Sequence, residues 1–232
     1  MNVDEMRAAL ETELAWRQEE LAFFKNQLNN IRDEDKDCYR KSLVLILYSH
    51  MEGYIKISLQ TYTQYINSLA LTRRDVTANL MVAGMHREFL AYENLDRKCE
   101  IFRRHLPDDT QLHRFFRRVD FMEQAEELKE TKLNVDDQII DTESNMWYIV
   151  LQKNLYKIGL PLNLFDEHRS DIDALVNRRN SIAHGNFRSG VTEQEFGTWE
   201  TKIIQVMSSV TRLIYDYANN ERYLCGNAAN II

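Results

Sequence analysis

The segment LVNRRNSIAHG, from Leu175 to Gly185, contains two arginines, two asparagines and a histidine at the end of an apolar helical pattern. A guanidinium group binds phosphate oxygens, an amide orients its neighbours, and an imidazole transfers protons near neutral pH. These residue types together suit phosphate chemistry. Arg179, Asn180 and His184 are therefore candidate catalytic residues, and the adjacent Arg178 is a candidate for substrate binding.

The same residues also fit an ordinary helix end, with Arg179 exposed to solvent and His184 near the negative end of the helix dipole. Gly185 favours the left-handed conformation that stops a helix. Five residues at about 100° each place Arg179 and His184 roughly 140° apart around an ideal helix. They would act together only on a ligand beside the helix end, or with a matching pair from a second subunit.

The composition predicts an all-α protein. Only seven glycines and two prolines occur among 232 residues, which leaves few of the turns that a sheet would need. The length suits one domain over residues 1–232. Helices are predicted over Asp4 to Ile31, about Asp37 to Leu69, Asn145 to Ile158 and about Asp166 to His184, with a last one starting at Thr192.

Two of these helices have clear patterns. In the first, Leu14, Leu21 and Leu28 repeat every seven residues, as in a long bundle helix. In the last, Thr192 and Glu195 form a predicted capping box. The apolar residues that follow alternate at three and four positions, at Phe196, Trp199, Ile203, Val206, Val210, Leu213 and Tyr217.

Residues 72–143 lack such a pattern, and we interpret them as a helical and loop insertion between the core helices. The polar stretch from Glu123 to Asp137 is expected to be partly loop. Residues 97–118 carry seven basic side chains against three acidic ones, with interleaved phenylalanines. This segment is a candidate for binding an RNA backbone through Arg103, Arg104, Arg114, Arg117 and Arg118. The alternative is a solvated helix face with buried phenylalanines.

Two further candidates lie in the second helix. His50 and Glu52 occur in the segment YSHMEGYIK, within the apolar part of the helix around Leu43, Leu47 and Met51. They would position the candidate catalytic residues or the substrate. The alternative is a core histidine with a satisfied hydrogen bond.

Several classes of protein are disfavoured. A net charge of −7 argues against coating nucleic acid by bulk attraction, although it permits a local basic groove. The acidic start of the chain does not resemble a signal peptide, and the apolar run Leu43 to Leu47 is too short to span a bilayer. Three cysteines without paired spacing indicate reduced thiols in a cytoplasmic protein, and no metal-ligand spacing occurs.

The run RNSIAHG resembles the Arg-Asn-x-x-x-His signature of the HEPN superfamily, the all-helical "higher eukaryotes and prokaryotes nucleotide-binding" domains. Three further stretches resemble its MAE-type prokaryotic branch: YSHMEGYIK, DTESNMWYIVLQKNLYKIGLP from Asp141 to Pro161, and the terminal helix beginning VTEQEF. Together they cover most of the chain outside residues 72–140.

This resemblance implies a metal-independent endoribonuclease without a cofactor, often a toxin or an anti-phage defence effector. His184 would take a proton from the ribose 2′-hydroxyl or protonate the leaving oxygen, Arg179 would stabilise charge on the phosphorane, and Asn180 would orient these groups. The resemblance also implies a homodimer with a composite active site, and an antitoxin or defence-system partner. The alternative is a non-catalytic helical module that binds RNA, a nucleotide or a protein partner.

Overall fold

The computed structural model describes residues 1–102 and 109–227 and shows an all-α architecture. In this part of the chain the helices are α1 (Val3–Asn26), α2 (Asp33–Ser68), α3 (Ala78–Gly84), α4 (His86–Glu93), α5 (Thr110–Glu130), α6 (Tyr148–Lys157), α7 (Arg169–Ala183) and α8 (Glu193–Asn219). Short 3₁₀ turns lie at Gln27–Asn30, Asp137–Ile139 and Asp166–His168. The predicted fold class is thus confirmed.

The core is a bundle of α1, α2, α7 and α8, in which α2 packs against the other three. The middle of α2 is apolar on most sides, and its Leu43, Leu47 and Met51 are at most 1% exposed. The predicted burial of this segment is confirmed. A central helix of 36 residues spans about 54 Å and so provides one rigid support for the rest of the chain.

Capping fixes the ends of the longest amphipathic helices. Thr192 and Glu195 form the predicted capping box at the start of α8, and Asn2 and Glu5 form a second one at the start of α1. The predicted first helix is interrupted, because α1 ends at Asn26 and continues as the 3₁₀ turn Gln27–Asn30.

Residues 72–143 contain α3, α4 and α5. The stretch from Glu123 to Asp137 is partly loop, as expected, because α5 ends at Glu130 and residues 131–136 are not helical. Arg73 connects separate parts of this segment. It is buried, and it donates hydrogen bonds to Glu88 Oε1 at 2.6 Å and to the Leu128 carbonyl at 3.3 Å.

Candidate functional site

The candidate catalytic residues lie at the C-terminal end of α7. Its apolar side, formed by Ile172, Leu175 and Val176, is fully buried and fixes the rotation of the helix. Gly185 has φ of 72°, a left-handed conformation that costs glycine little, and it ends the helix as predicted. His184 is the C-cap residue, and its backbone N–H donates to the Asn180 carbonyl at 3.0 Å.

Arg179 turns from α7 towards α2 and the segment before α6. Its Nη1 donates to Asn180 Oδ1 at 2.8 Å and to Asn145 Oδ1 at 3.1 Å. The guanidinium carbon lies 4.6 Å from the centre of the Tyr48 ring, a cation–π contact. Arg179 is therefore partly buried and held from three sides, not extended into solvent as expected for an exposed helix end.

The partners of Arg179 come from distant parts of the chain. Tyr48 lies on α2 and is 1% exposed, and Asn145 lies in the segment before α6. The Tyr48 hydroxyl accepts a hydrogen bond from the Met146 N–H at 3.1 Å and donates to Asn145 Oδ1 at 3.5 Å. Three of the four stretches that carry the HEPN resemblance thus meet at one guanidinium group.

The phenol of Tyr48 stays protonated near neutral pH. Burial raises its pKa to about 12, and the carboxylate of Glu52 adds to this rise, while the Met146 N–H and the positive charge of Arg179 oppose it. The ring is therefore a neutral support for the arginine.

His184 has an exposed side chain, and its imidazole makes no hydrogen bond or ring contact with the other residues that the structure describes. It follows Arg179 by five positions and leaves the helix in a different direction. Arg179 and Asn180 are thus brought together, whereas His184 remains free to bind a ligand or a partner.

Arg178 has a different environment from Arg179. Its guanidinium carbon lies 4.1 Å from the ring centre of Phe187 and 5.3 Å from that of Trp199, and its Nη2 is 3.3 Å from Glu195 Oε1. These contacts join the end of α7 to the start of α8. The guanidinium group of Arg178, a candidate for substrate binding, therefore already has partners within the chain.

His50 and Glu52 face different parts of the molecule, because two residues correspond to about 200° around a helix. His50 is buried against α1, with its Nε2 3.2 Å from Glu20 Oε2 and its ring edge-on to Trp16 at 5.6 Å. That approach to Glu20 lacks hydrogen-bond geometry. Of the pair, only Glu52 is close enough to Tyr48 to influence the arginine site.

The basic segment divides into an exposed part and a buried part. Arg114, Arg118 and Phe115 are exposed on α5, and Arg118 Nε donates to the Tyr92 hydroxyl at 3.3 Å. Arg117 is only 6% exposed, and its Nη1 donates to the Arg97 carbonyl at 3.0 Å. Phe115, at 63% exposure, is not the buried phenylalanine of the alternative interpretation. Arg103 and Arg104 lie outside the described residues.

Tyr48 and Asn145 were not among the predicted site residues. They belong to stretches that resemble the family, but neither spacing nor composition connects them to Arg179. In the part of the chain that the structure describes, no group of three or more histidine, cysteine, aspartate or glutamate side chains could hold a metal ion. No helix among these residues is both long and apolar enough to cross a membrane.

Comparison with known proteins identifies the family. Neither a curated protein nor a solved structure matches the chain significantly. The model of the MAE_28990-like HEPN family matches residues 6–223, which is nearly the whole chain and extends from the first turn of α1 past the end of α8. The chain belongs to the MAE_28990-like HEPN family.

Proposed function

We propose that this protein is a metal-independent endoribonuclease. The observation that carries the proposal is the end of α7, where Arg179 is fixed by two amide oxygens and the imidazole of His184 is exposed five residues later. A fixed cation stabilises charge on the phosphorane and an exposed imidazole transfers protons, and both contribute to cleavage of an RNA phosphodiester.

The reaction uses a nucleophile that the RNA already contains. The ribose 2′-oxygen attacks the adjacent phosphorus, the bond from phosphorus to the 5′-oxygen breaks, and the products are a 2′,3′-cyclic phosphate and a 5′-hydroxyl. His184 accepts the proton of the 2′-hydroxyl or donates one to the leaving 5′-oxygen. Arg179 stabilises the negative charge on the phosphorane oxygens, and Asn180 keeps Arg179 in position.

A homodimer would complete this site. Arg179 and His184 leave α7 in different directions, so one copy does not direct both side chains at one phosphate. Pairing residues 177–185 of two copies about a two-fold axis would place two arginines and two histidines around one cleft. One imidazole could then act as the base while the other acts as the acid.

The exposed side chains of Arg114, Phe115 and Arg118 are the proposed contacts for the RNA strand on α5. Arginines bind phosphates, and an exposed aromatic ring can stack on a base without sequence preference. Arg117 is not part of this surface, because its guanidinium group is buried.

Cleavage that needs no cofactor would suit a toxin or an anti-phage defence effector. Its partner would be an antitoxin or another defence protein that covers the end of α7. Expression of the wild-type chain should then arrest growth, and expression of His184→Gln should not.

The direct test is incubation of purified protein with end-labelled RNA in the presence of a chelator. We expect fragments ending in 2′,3′-cyclic phosphate, and a loss of about 10²–10⁴-fold in kcat for His184→Gln. His86→Gln is the matched control, since His86 is also exposed but lies on α4. Binding of RNA without cleavage would instead identify a non-catalytic module.

A further inference from the structure

Arg179 has only neutral partners, although it is a partly buried cation. Its Nη1 binds two amide oxygens and its charged plane rests on a neutral phenol ring. It forms no ion pair with a carboxylate among the residues that the structure describes. Arg178, the preceding residue, pairs with Glu195. A carboxylate partner would be the usual means of stabilising a buried arginine.

The two amide oxygens accept hydrogen bonds from the same nitrogen of the guanidinium group. Both contact Nη1, whereas Nε and Nη2 make no hydrogen bond with any other described residue. Nε and Nη2 form one edge of the fork, and a phosphate group can accept two parallel hydrogen bonds from such an edge. The partners thus fix the orientation of the side chain and leave its binding edge open.

Tyr48 fixes the plane of the same group. Its own hydroxyl is held by the Met146 N–H and by Asn145, so the phenol and the amide support each other. This arrangement restricts the rotation of a long side chain, and a group that is ordered before its ligand arrives loses less entropy on binding.

We propose that Asn145 and Tyr48 are positioning residues that keep Arg179 ordered and uncompensated in charge, so that its open edge binds a phosphate group of RNA. This inference rests on the proposed function, because it assigns Arg179 to the phosphate. The inference requires an amide at position 145, because a carboxylate there would neutralise the charge of Arg179 before the substrate binds.

The test compares Asn145→Asp with Asn145→Ala. The Asp variant retains an oxygen for Arg179 Nη1 and adds an ion pair, so its thermal midpoint should equal or exceed that of the wild type. Its cleavage rate should nevertheless fall, by about 10-fold or more, because charge stabilisation by a single donor accounts for about 10²–10³-fold. The Ala variant should lose both stability and activity. If the contact were purely structural, the cleavage rate of Asn145→Asp would equal that of the wild type.

Binding is measured separately with a mixed-sequence 2′-O-methyl oligonucleotide, which cannot be cleaved by 2′-attack. In Asn145→Asp the slope of log affinity against log salt should fall by roughly 0.7, the contribution of one phosphate contact in a single strand. Asn220→Asp is the control for charge. Asn220 follows the far end of α8, about 37 Å along the helix from Glu195 at a rise of 1.5 Å per residue.

The outcomes separate the two proposals. If the wild type binds the oligonucleotide but does not cleave RNA, and Asn145→Asp loses the contact, the ribonuclease proposal fails and the role of Asn145 stands. If cleavage depends on Arg179 but Asn145→Asp retains wild-type rate and salt slope, the inference is wrong and the ribonuclease stands. Absence of oligonucleotide binding by the wild type overturns the inference as well.

Discussion

Arg178 and Arg179 are adjacent on α7, but Arg178 pairs with the carboxylate of Glu195 while Arg179 binds the amide oxygens of Asn145 and Asn180. One step along the helix turns the side chain by about 100°, which is enough to direct one arginine to α8 and the next to α2. The ion-paired residue connects two helices. Its neighbour retains a charge that is available to a ligand.

Separate substitutions of these two arginines should have different effects, one on the stability of the fold and the other on the cleavage rate. Arg178→Gln should lower the free energy of unfolding by about 1–2 kcal/mol, because it removes a partly exposed ion pair and two cation–π contacts. Arg179→Lys keeps the charge but loses the planar fork, so it should lower cleavage by about 10²-fold. Urea unfolding and initial cleavage rates provide the two measurements.

The result for Arg178→Gln is the more informative one. A stable variant that no longer cleaves RNA would show that Arg178 contacts the substrate, in contradiction to its structural role. Loss of stability with cleavage largely retained would support that role.

The sequence predicted those features that depend on local patterns. The capping box of Thr192 and Glu195, the helix stop at Gly185 and the buried middle of α2 each follow from residues within a few turns of one another. Such features need only helix periodicity and the preferences of caps and glycines.

The surroundings of Arg179 could not be predicted in the same way. Tyr48 precedes it by 131 positions and Asn145 by 34, so their approach depends on how α2, α7 and the segment before α6 pack together. The same limit applies to the basic segment. Arg117 and Arg118 are consecutive, yet the packing of α5 buries one and exposes the other.

Replacement of Arg114 and Arg118 by Gln tests the proposed RNA contacts on α5. If each binds one phosphate, the double variant should bind single-stranded RNA more weakly, with a salt slope smaller by roughly 1.4 at 0.7 per contact. Turnover at saturating RNA should change little, because these contacts would be equal in the ground and transition states. Filter binding over a range of salt concentrations measures the slope.

The control for this experiment is the double variant Arg7→Gln and Arg32→Gln. It changes the net charge by the same amount, but these exposed arginines already pair with Glu11 and Glu34. Equal slopes in the two double variants would show that α5 makes no specific phosphate contacts.

A cysteine at Ala183 tests the proposed homodimer. Ala183 is exposed beside His184, so two copies paired about residues 177–185 should bring these cysteines within reach of a short bis-maleimide. The exposed Cys38 and Cys225 are first replaced by Ser. We expect a cross-linked dimer from Ala183→Cys and little from Asn220→Cys, together with dimers in sedimentation. A fully active monomer at micromolar concentration would contradict the composite site.

His50 should make the fold less stable in mild acid. Burial lowers its pKa, an effect that Arg17 reinforces and Glu20 opposes. In the unfolded chain a histidine has a pKa of about 6.5, so this side chain takes up a proton at a higher pH there than in the folded chain. His50 therefore has no effect well above that pH, and stability is lost as the pH falls below it.

His50→Gln removes this titration. Its free energy of unfolding should fall less than that of the wild type between pH 7.5 and pH 5.5, as measured by urea denaturation at each pH. His86→Gln, at an exposed position on α4, is the control for replacing a histidine by glutamine. A steeper loss in His50→Gln than in the wild type would mean that Glu20 stabilises a protonated His50, because the pKa would then be raised by folding.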